Sequence, residues 1–372
     1  MAPICGDFAV TTACTTTRRR FLRASLVGSL GALGGRPLAS LLGAEPSPSG
    51  GATACVALTA GEDRAANVFE GLRFFRDEIA QAIGSRRVVI KPNNVSIANQ
   101  LSATHAAQIE GILEFLKSIG KLQGAMIAES AADGPTLDGF ANYGYDRVAE
   151  KYGAKLVDLD QEETRTLRVF DERDFRPHPI RMSRLLLDRE SFYVISAAKM
   201  KTHDRVLATL SLKNIVFGAP TKDLGFTWGP RRKPGTTTQK PIAHGSGIYG
   251  INYNLYALAD RLGPDLAVID GYRGMEGNGP TSGAAVEHRV AVVSPDWLAA
   301  DRVAVELMGI DFAMVGYLNY AAEAGLGTGD LAKIEVLGEP IARHVRRYQL
   351  HDNVQKQLMW RTPPEQPWHA GA

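Results

Sequence analysis

Four basic side chains crowd into one short stretch of this chain. Residues 192–214 read FYVISAAKMKTHDRVLATLSLKN, with Lys199, Lys201 and His203 just past an apolar run and Lys213-Asn214 shortly after. Lysines gathered in this way suit an anion, because each is a compact point charge that binds carboxylate or phosphate. A histidine among them moves protons near neutral pH. Crowded ammonium groups also lower one another's pKa, which suits one lysine to act as a base or a Schiff-base amine.

Other polar groups follow apolar runs in the same way. VVIKP carries Lys91 and leads to Asn93-Asn94, and AMIAE ends in Glu129-Ser130. LAVIDG ends in Asp270 and continues into YRGMEGNGP, with Glu276, Gly277 and Gly279. VAVVS leads to Asp296, with Asp301 about one helical turn on. Asp270 or Glu276 would orient a histidine or act as a base, and the glycines permit close backbone approach to a ligand. His244 lies in a long polar stretch, 219–250, and is a second proton carrier. Bland readings stand beside these: Lys91 as a strand-end lysine reaching water, Asn93 and Asn94 as turn residues, Glu129 as a cap, and Lys213 as a charge at a helix end. A second chemistry is open to His203, His244, Asp270 and Glu276, whose nitrogen and oxygen donors suit a divalent metal such as zinc, iron or manganese. The lysines oppose a bare cation but tolerate a metal that holds an anionic substrate.

These groups need a scaffold that brings strand ends together. From residue 54 strand-like and helix-like runs alternate. ACVALTA, RRVVIKP, GAMIAES, AKLVDLD, FYVISAA, DLAVIDG and HRVAVVS read as strands. DRAANVFEGLRFFRDEIAQAI, THAAQIEGILEFLKSIG (with Thr104 as N-cap), LDGFANYGYDRVAEKYG and PDWLAADRVAVELMG read as helices. This order predicts an α/β fold: a mostly parallel sheet with helices on both faces, in one large domain. Ligands of such sheets bind beyond the carboxyl ends of the strands. If the runs are parallel, all the polar groups named above share one rim.

The chain has 372 residues, of which 45% are hydrophobic and 22% charged, as in an ordinary globular protein. Thr17-Arg18-Arg19-Arg20-Phe21-Leu22-Arg23 resembles the twin-arginine export signature, with Arg23 where lysine is usual, and a broken apolar stretch follows. The chain therefore divides into a signal peptide 1–44, a linker 45–53, the α/β domain 54–340, and a helical or loose tail 341–372. The expected location is the periplasm or another extracytoplasmic space, reached through the twin-arginine translocase. Removing residues 1–44 turns the formal charge from +2 to −2, and nothing suggests a nucleic-acid partner. Cys5 and Cys14 leave with the signal, so the mature chain keeps Cys55 alone. It has no internal disulfide and no iron–sulfur cluster from its own cysteines.

IKPNN, AES, KMKTH followed by LKN, a histidine in the next loop, IDG with MEGNGP, and SPDWLAADRVAVELMG occur in the order of the domain-of-unknown-function family numbered 362. The resemblance spans about residues 54–338. It implies a link with iron–sulfur proteins, since some relatives carry ferredoxin-type cysteine clusters that are missing here, and it implies no reaction. Three functions stay open: an exported enzyme acting on a small anionic molecule, a metal-dependent enzyme, and a periplasmic binding or redox-partner protein. The last would dock a partner through the 219–250 stretch, with Trp228 and Arg231-Arg232-Lys233.

Overall fold

Strands that are apolar throughout must be covered on both faces, and the sheet formed here is. The computed structural model describes residues 54–363 other than 229 and 231. The signal, the linker, Arg231 and the end of the tail lie outside the described residues. The strands are β1 (Ala54–Ala60), β2 (Arg87–Lys91), β3 (Met126–Glu129), β4 (Lys155–Asp158), β5 (Thr164–Asp171), β6 (Arg176–Ser183), β7 (Phe192–His203), β8 (Leu207–Thr209), β9 (Leu266–Glu276), β10 (Ala284–Ser294) and β11 (Ile334–Gly338). They form a nine-stranded sheet in the order β11-β1-β10-β9-β7-β2-β3-β4, with β8 added to β7, and a separate β5–β6 hairpin. Every pair from β9 to β4 is parallel, as is β1 with β11. Only β10, between β1 and β9, and the short β8 run antiparallel. The α/β class and the mostly parallel sheet stand as expected.

Side chains alternate across the sheet. Val88 and Ile90 join one core, with Val68, Ile79, Ile109, Ile112 and Tyr145 of the helices on that face. Val89 joins the other, with Ile215, Ile251, Leu255, Val303 and Leu318. Two expected helices are each broken. The run 63–83 becomes Arg64–Arg73 and Arg76–Ile83, parted at Phe74–Phe75. The run 137–153 becomes Thr136–Asn142 and Tyr145–Tyr152, because Gly144 sits at φ +73, where a helix cannot continue. Thr104 is not the N-cap of the helix Ala106–Ser118; the ring of His105 is, accepting from the Ala107 N–H. The Thr104 hydroxyl instead joins two strand ends, accepting from Asn93 N–H and donating to the Ala197 carbonyl.

Three further differences bear on the site. Lys199-Met200-Lys201-Thr202-His203 does not follow a strand; it is strand, because β7 runs on past the end of β2 at Lys91 and is held there by β8. Asp296 does not share the rim with the other polar groups. Since β10 is antiparallel, its end at Ser294 pairs with Ala267 near the start of β9. There Asp296 caps the helix Trp297–Leu307. The β5–β6 hairpin, β8 and β11 are additions to the strands expected from the sequence. The segment beyond 341 is tied down: Tyr348 N–H donates to the Met308 carbonyl, and the Gln357 amide bridges His203 O and Leu207 N–H.

The intact chain's Cys55 is disulfide-bonded, and Cys5 and Cys14 lie outside the described residues. The expectation of a disulfide-free protein therefore concerns only a chain from which residues 1–44 are gone.

The helices Arg64–Arg73 and Ala106–Ser118 meet at Gly111. A Cβ there would lie 2.5 Å from the Ala65 carbonyl oxygen and 3.0 Å from Val68 Cβ. Helix propensity would favour any other residue at this position, but contact with backbone overrides it. Gly111→Val should destabilise by about 1–3 kcal/mol, the cost of overpacking, read as a lower urea midpoint with unchanged slope. An unchanged midpoint would show that the helices part at no cost.

Candidate functional site

A cavity of about 920 Å³ opens beyond the carboxyl ends of β2, β3 and β7. Four lysines line it: Lys91, Lys201, Lys213 and Lys240. All four are buried, none more than 9% exposed. Lys91, at the end of β2, is the one with a carboxylate partner among the described residues. Its Nζ lies 2.8 Å from Glu129 Oε2, with further bonds to Pro92 O and Asn214 Oδ1. Burial lowers its pKa even against the pull of Glu129. Glu129 also accepts from Asn94 N–H and Ser130 N–H. Asn214 closes the network: its amide donates to Lys91 O and Ser196 Oγ, and its oxygen also accepts from Asn93 Nδ2. Gly218 makes room for this head group, since a Cβ there would fall 1.9 Å from Lys91 Cε.

Among the described residues the other three ammonium groups have no carboxylate at ion-pair distance, though Asp204 pulls on Lys213 and Glu129 on Lys201 and Lys240 from farther off. Lys201 donates to the Ser102 carbonyl at 2.6 Å. Lys240 donates to Pro220 O and, more weakly, Phe217 O. Lys213 has no hydrogen-bond acceptor among the described residues, only the ring face of Phe217 at 5.2 Å. Desolvation is the main cause of their lowered pKa values: Lys213 falls to about 8, Lys240 to about 7, and Lys201 well below the lysine range, pushed further by Lys213, Lys199 and Lys91.

Two neutral imidazoles complete the wall. His203 Nδ1 accepts from the Arg205 N–H and lies 3.1 Å from Asp204 Oδ1. His244 Nδ1 donates to the Lys240 carbonyl at 2.7 Å, which leaves Nε2 with a lone pair. Burial first and the Lys213 charge second hold both rings deprotonated, His244 at about 4 and His203 well below its usual value. The His244 ring thus offers an acceptor at Nε2.

Nine of the candidate catalytic and ligand-binding residues meet here: Lys91, Asn93, Asn94, Glu129, Lys201, His203, Lys213, Asn214 and His244; Ser130 and Trp228 also line the cavity. The other five candidates, Lys199, Asp270, Glu276, Gly277 and Gly279, lie elsewhere. The pairing of β7 with β9 shifts register between Lys199 and Lys201, Lys199 opposing Asp270 and Lys201 opposing Met275. Lys199 binds the Arg273 carbonyl at 2.7 Å, in a buried group with Asp270, Arg64 and His105. Asp270 pairs with Arg64 at 3.2 Å and accepts from Tyr272 N–H. Glu276 accepts from Gln349 N–H and ties down the C-terminal segment. Gly277 and Gly279 let the turn lie against β7: Gly277 O accepts from the Thr202 hydroxyl, and a Cβ on Gly279 would lie 2.1 Å from the Thr202 carbonyl oxygen. This turn carries the Pro280 carbonyl to 3.4 Å from Lys201 Nζ. The metal-ligand set His203, His244, Asp270 and Glu276 is thus divided, and no three His, Cys, Asp or Glu side chains converge among the described residues.

Sequence reasoning misses Lys240, which lines the cavity from a short helix, Lys240–Ala243, inside the polar stretch. It also misses Asp171 and Arg173, brought to the mouth by the β5–β6 hairpin. The signal is present: TRTLRVFD and RPHPIRMS alternate on either side of a short polar turn.

Fold and cavity define an α/β protein with a lysine-lined pocket at the strand ends. The chain belongs to the DUF362 family, a domain of unknown function, which matches residues 88–306. It is also similar to the thylakoid-associated protein sll1697 of Synechocystis sp., at 27% identity over 213 residues, 56% of this chain. The match covers 61% of that relative, so the chain spans about three-fifths of its length. No solved structure matches. Among the described residues no helix is long and apolar enough to cross a membrane.

Glu129→Gln would leave Lys91 buried without its counter-charge. Breaking such a pair costs about 3–5 kcal/mol. Lys91 can escape the penalty by losing its proton, so the loss of stability should shrink from neutral pH to about pH 10. Urea titrations at both pH values check this, and an equal loss at each would show that the Lys91 charge is not the cause.

Proposed function

We propose that the cavity binds a small anionic molecule, a carboxylate or phosphate, and that the protein is an enzyme acting on it. The observation that carries this reading is the trio Lys201, Lys213 and Lys240, buried on one cavity with no carboxylate partner among the described residues. An uncompensated buried charge costs several kcal/mol, and a bound anion removes that cost. Unpartnered polar atoms on the same wall add to the support: Asn93 Oδ1, Asn94 Nδ2 and Thr209 Oγ1 have no hydrogen-bond partner. In this reading the lysines hold the anion, His244 Nε2 accepts a proton, and His203 donates one.

The linkage has a definite sign. Folded pKa values of about 8 and 7 lie below the ordinary lysine value of 10.5. These two groups therefore contribute stability that is present above pH 10.5 and lost as pH falls through 8 and then 7. An anion favours the charged lysines and raises both values. Binding of inorganic phosphate or a small dicarboxylate near pH 8 should take up protons and weaken by about tenfold from pH 7 to pH 9. Calorimetry in buffers of different ionisation enthalpy measures the uptake. Binding that releases protons or none, with the same affinity throughout, would count against the anion reading.

We also propose that the chain is exported by the twin-arginine route, on the strength of Thr17–Arg23 and the apolar stretch behind it. Replacing both Arg18 and Arg19 with lysine should retain the precursor in the cytoplasm, as read by cell fractionation. Undiminished release of the double variant to the periplasm would reject this route.

A further inference from the structure

We propose that Lys213 is an imine-forming amine and that the molecules bound here are small carbonyl compounds bearing an anionic group, of the 2-oxo-carboxylate type. The inference rests on the anion-site reading above and names its substrate class. What separates Lys213 from its neighbours is its partners. Lys91, Lys201 and Lys240 each donate to oxygen acceptors of the protein. Each head group is thereby held in place by an acceptor of the fold. Lys213, 8% exposed on the cavity wall, has a ring face beside it and no oxygen acceptor among the described residues. Its nitrogen lone pair is not displaced by any bond the fold requires. Burial first, with the Lys91 and Arg205 charges, favours its neutral form, the nucleophile, against the pull of Asp204.

Imine formation also needs one group that takes a proton and one that gives a proton. Lys213 is the charged residue that acts most strongly on both His203 and His244. The Phe217 ring that Lys213 Nζ faces at 5.2 Å packs against the His244 ring at 4.9 Å, and His203 lines the same cavity. In the step, the amine lone pair forms a C–N bond to the carbonyl carbon, and the C=O π pair moves to oxygen. The two amine hydrogens pass, by way of the imidazoles, to that oxygen, which leaves as water. A C=N bond remains, and no oxidant or reductant is consumed. The anionic group of the same molecule lies against Lys201 and Lys240.

The test treats the folded protein with pyruvate, glyoxylate or 2-oxoglutarate at neutral pH, reduces with sodium borohydride, and maps the adduct by peptide mass spectrometry. Calorimetry with pyruvate and with lactate, which lacks the carbonyl, runs in parallel. The expected result is a reduced adduct on Lys213, formed about tenfold faster than on the exposed Lys117 and Lys333. Lys213→Arg, which keeps the charge but cannot form an imine, should lose the adduct while still binding lactate. Binding of pyruvate and lactate without a Lys213 adduct would overturn the imine and leave the anion site standing. An adduct confined to Lys201 or Lys240 would overturn the assignment to Lys213. Neither binding nor adduct with any of the three probes would overturn both readings.

Discussion

Holding four lysine head groups out of water around one cavity, with a carboxylate for only one of them, is the constraint on which the rest of this structure depends. Each uncompensated buried ammonium costs several kcal/mol. The fold answers in two ways. It supplies backbone carbonyls, from Ser102 and Pro220, where no acid is paired. It also lets the lysines shed protons, and this is why Lys213 and Lys240 sit near neutrality. Both responses leave the cavity electrostatically unfinished, and an anion completes it.

The sheet builds this cavity by letting one strand outrun its neighbours. β2 stops at Lys91 opposite Ser196, while β7 continues to His203. The overhang survives because β8 folds back on it and Gln357, from far along the chain, bridges the two ends of the turn. Ser211–Val216 then starts directly under the overhang, its first N–H groups received by the buried Asp301 carboxylate. Burial raises the pKa of that carboxyl to about 7. Lys213 and Asn214 are carried into place by this short helix, and Asn214 joins it to Lys91 and Ser196.

Much of the fold is legible in the amino-acid sequence, for a simple reason. VVI, MIA and LAVI are apolar on consecutive residues, and such runs have few uses other than strands buried on both faces. The rim follows from parallel order. The inference fails where order is not parallel: β10 reverses, so Asp296 goes to the far edge. It fails also where a strand does not stop. Asp270 and Glu276 both belong to β9, one paired with Arg64 and the other holding Gln349, and neither faces the cavity. β5 and β6 escape notice because their alternation is half polar and surrounds no long apolar run.

By itself the sequence determined the residue types that cluster, their family, and the α/β class, because hydrophobic period and local order are one-dimensional properties. It also singled out Lys201, His203, Lys213 and His244, all of which line one cavity. Only the tertiary structure decided which lysines share a wall. Lys199 and Lys201 are two positions apart on one strand, yet one is tied to the Arg273 carbonyl and the other to the Ser102 carbonyl. Lys240 and Lys91 are far apart in sequence and meet because separate elements close on the same space. The protonation states belong to this second kind of fact. They depend on burial and on which backbone carbonyl or N–H reaches each ring and each ammonium, and those distances exist only in the folded chain.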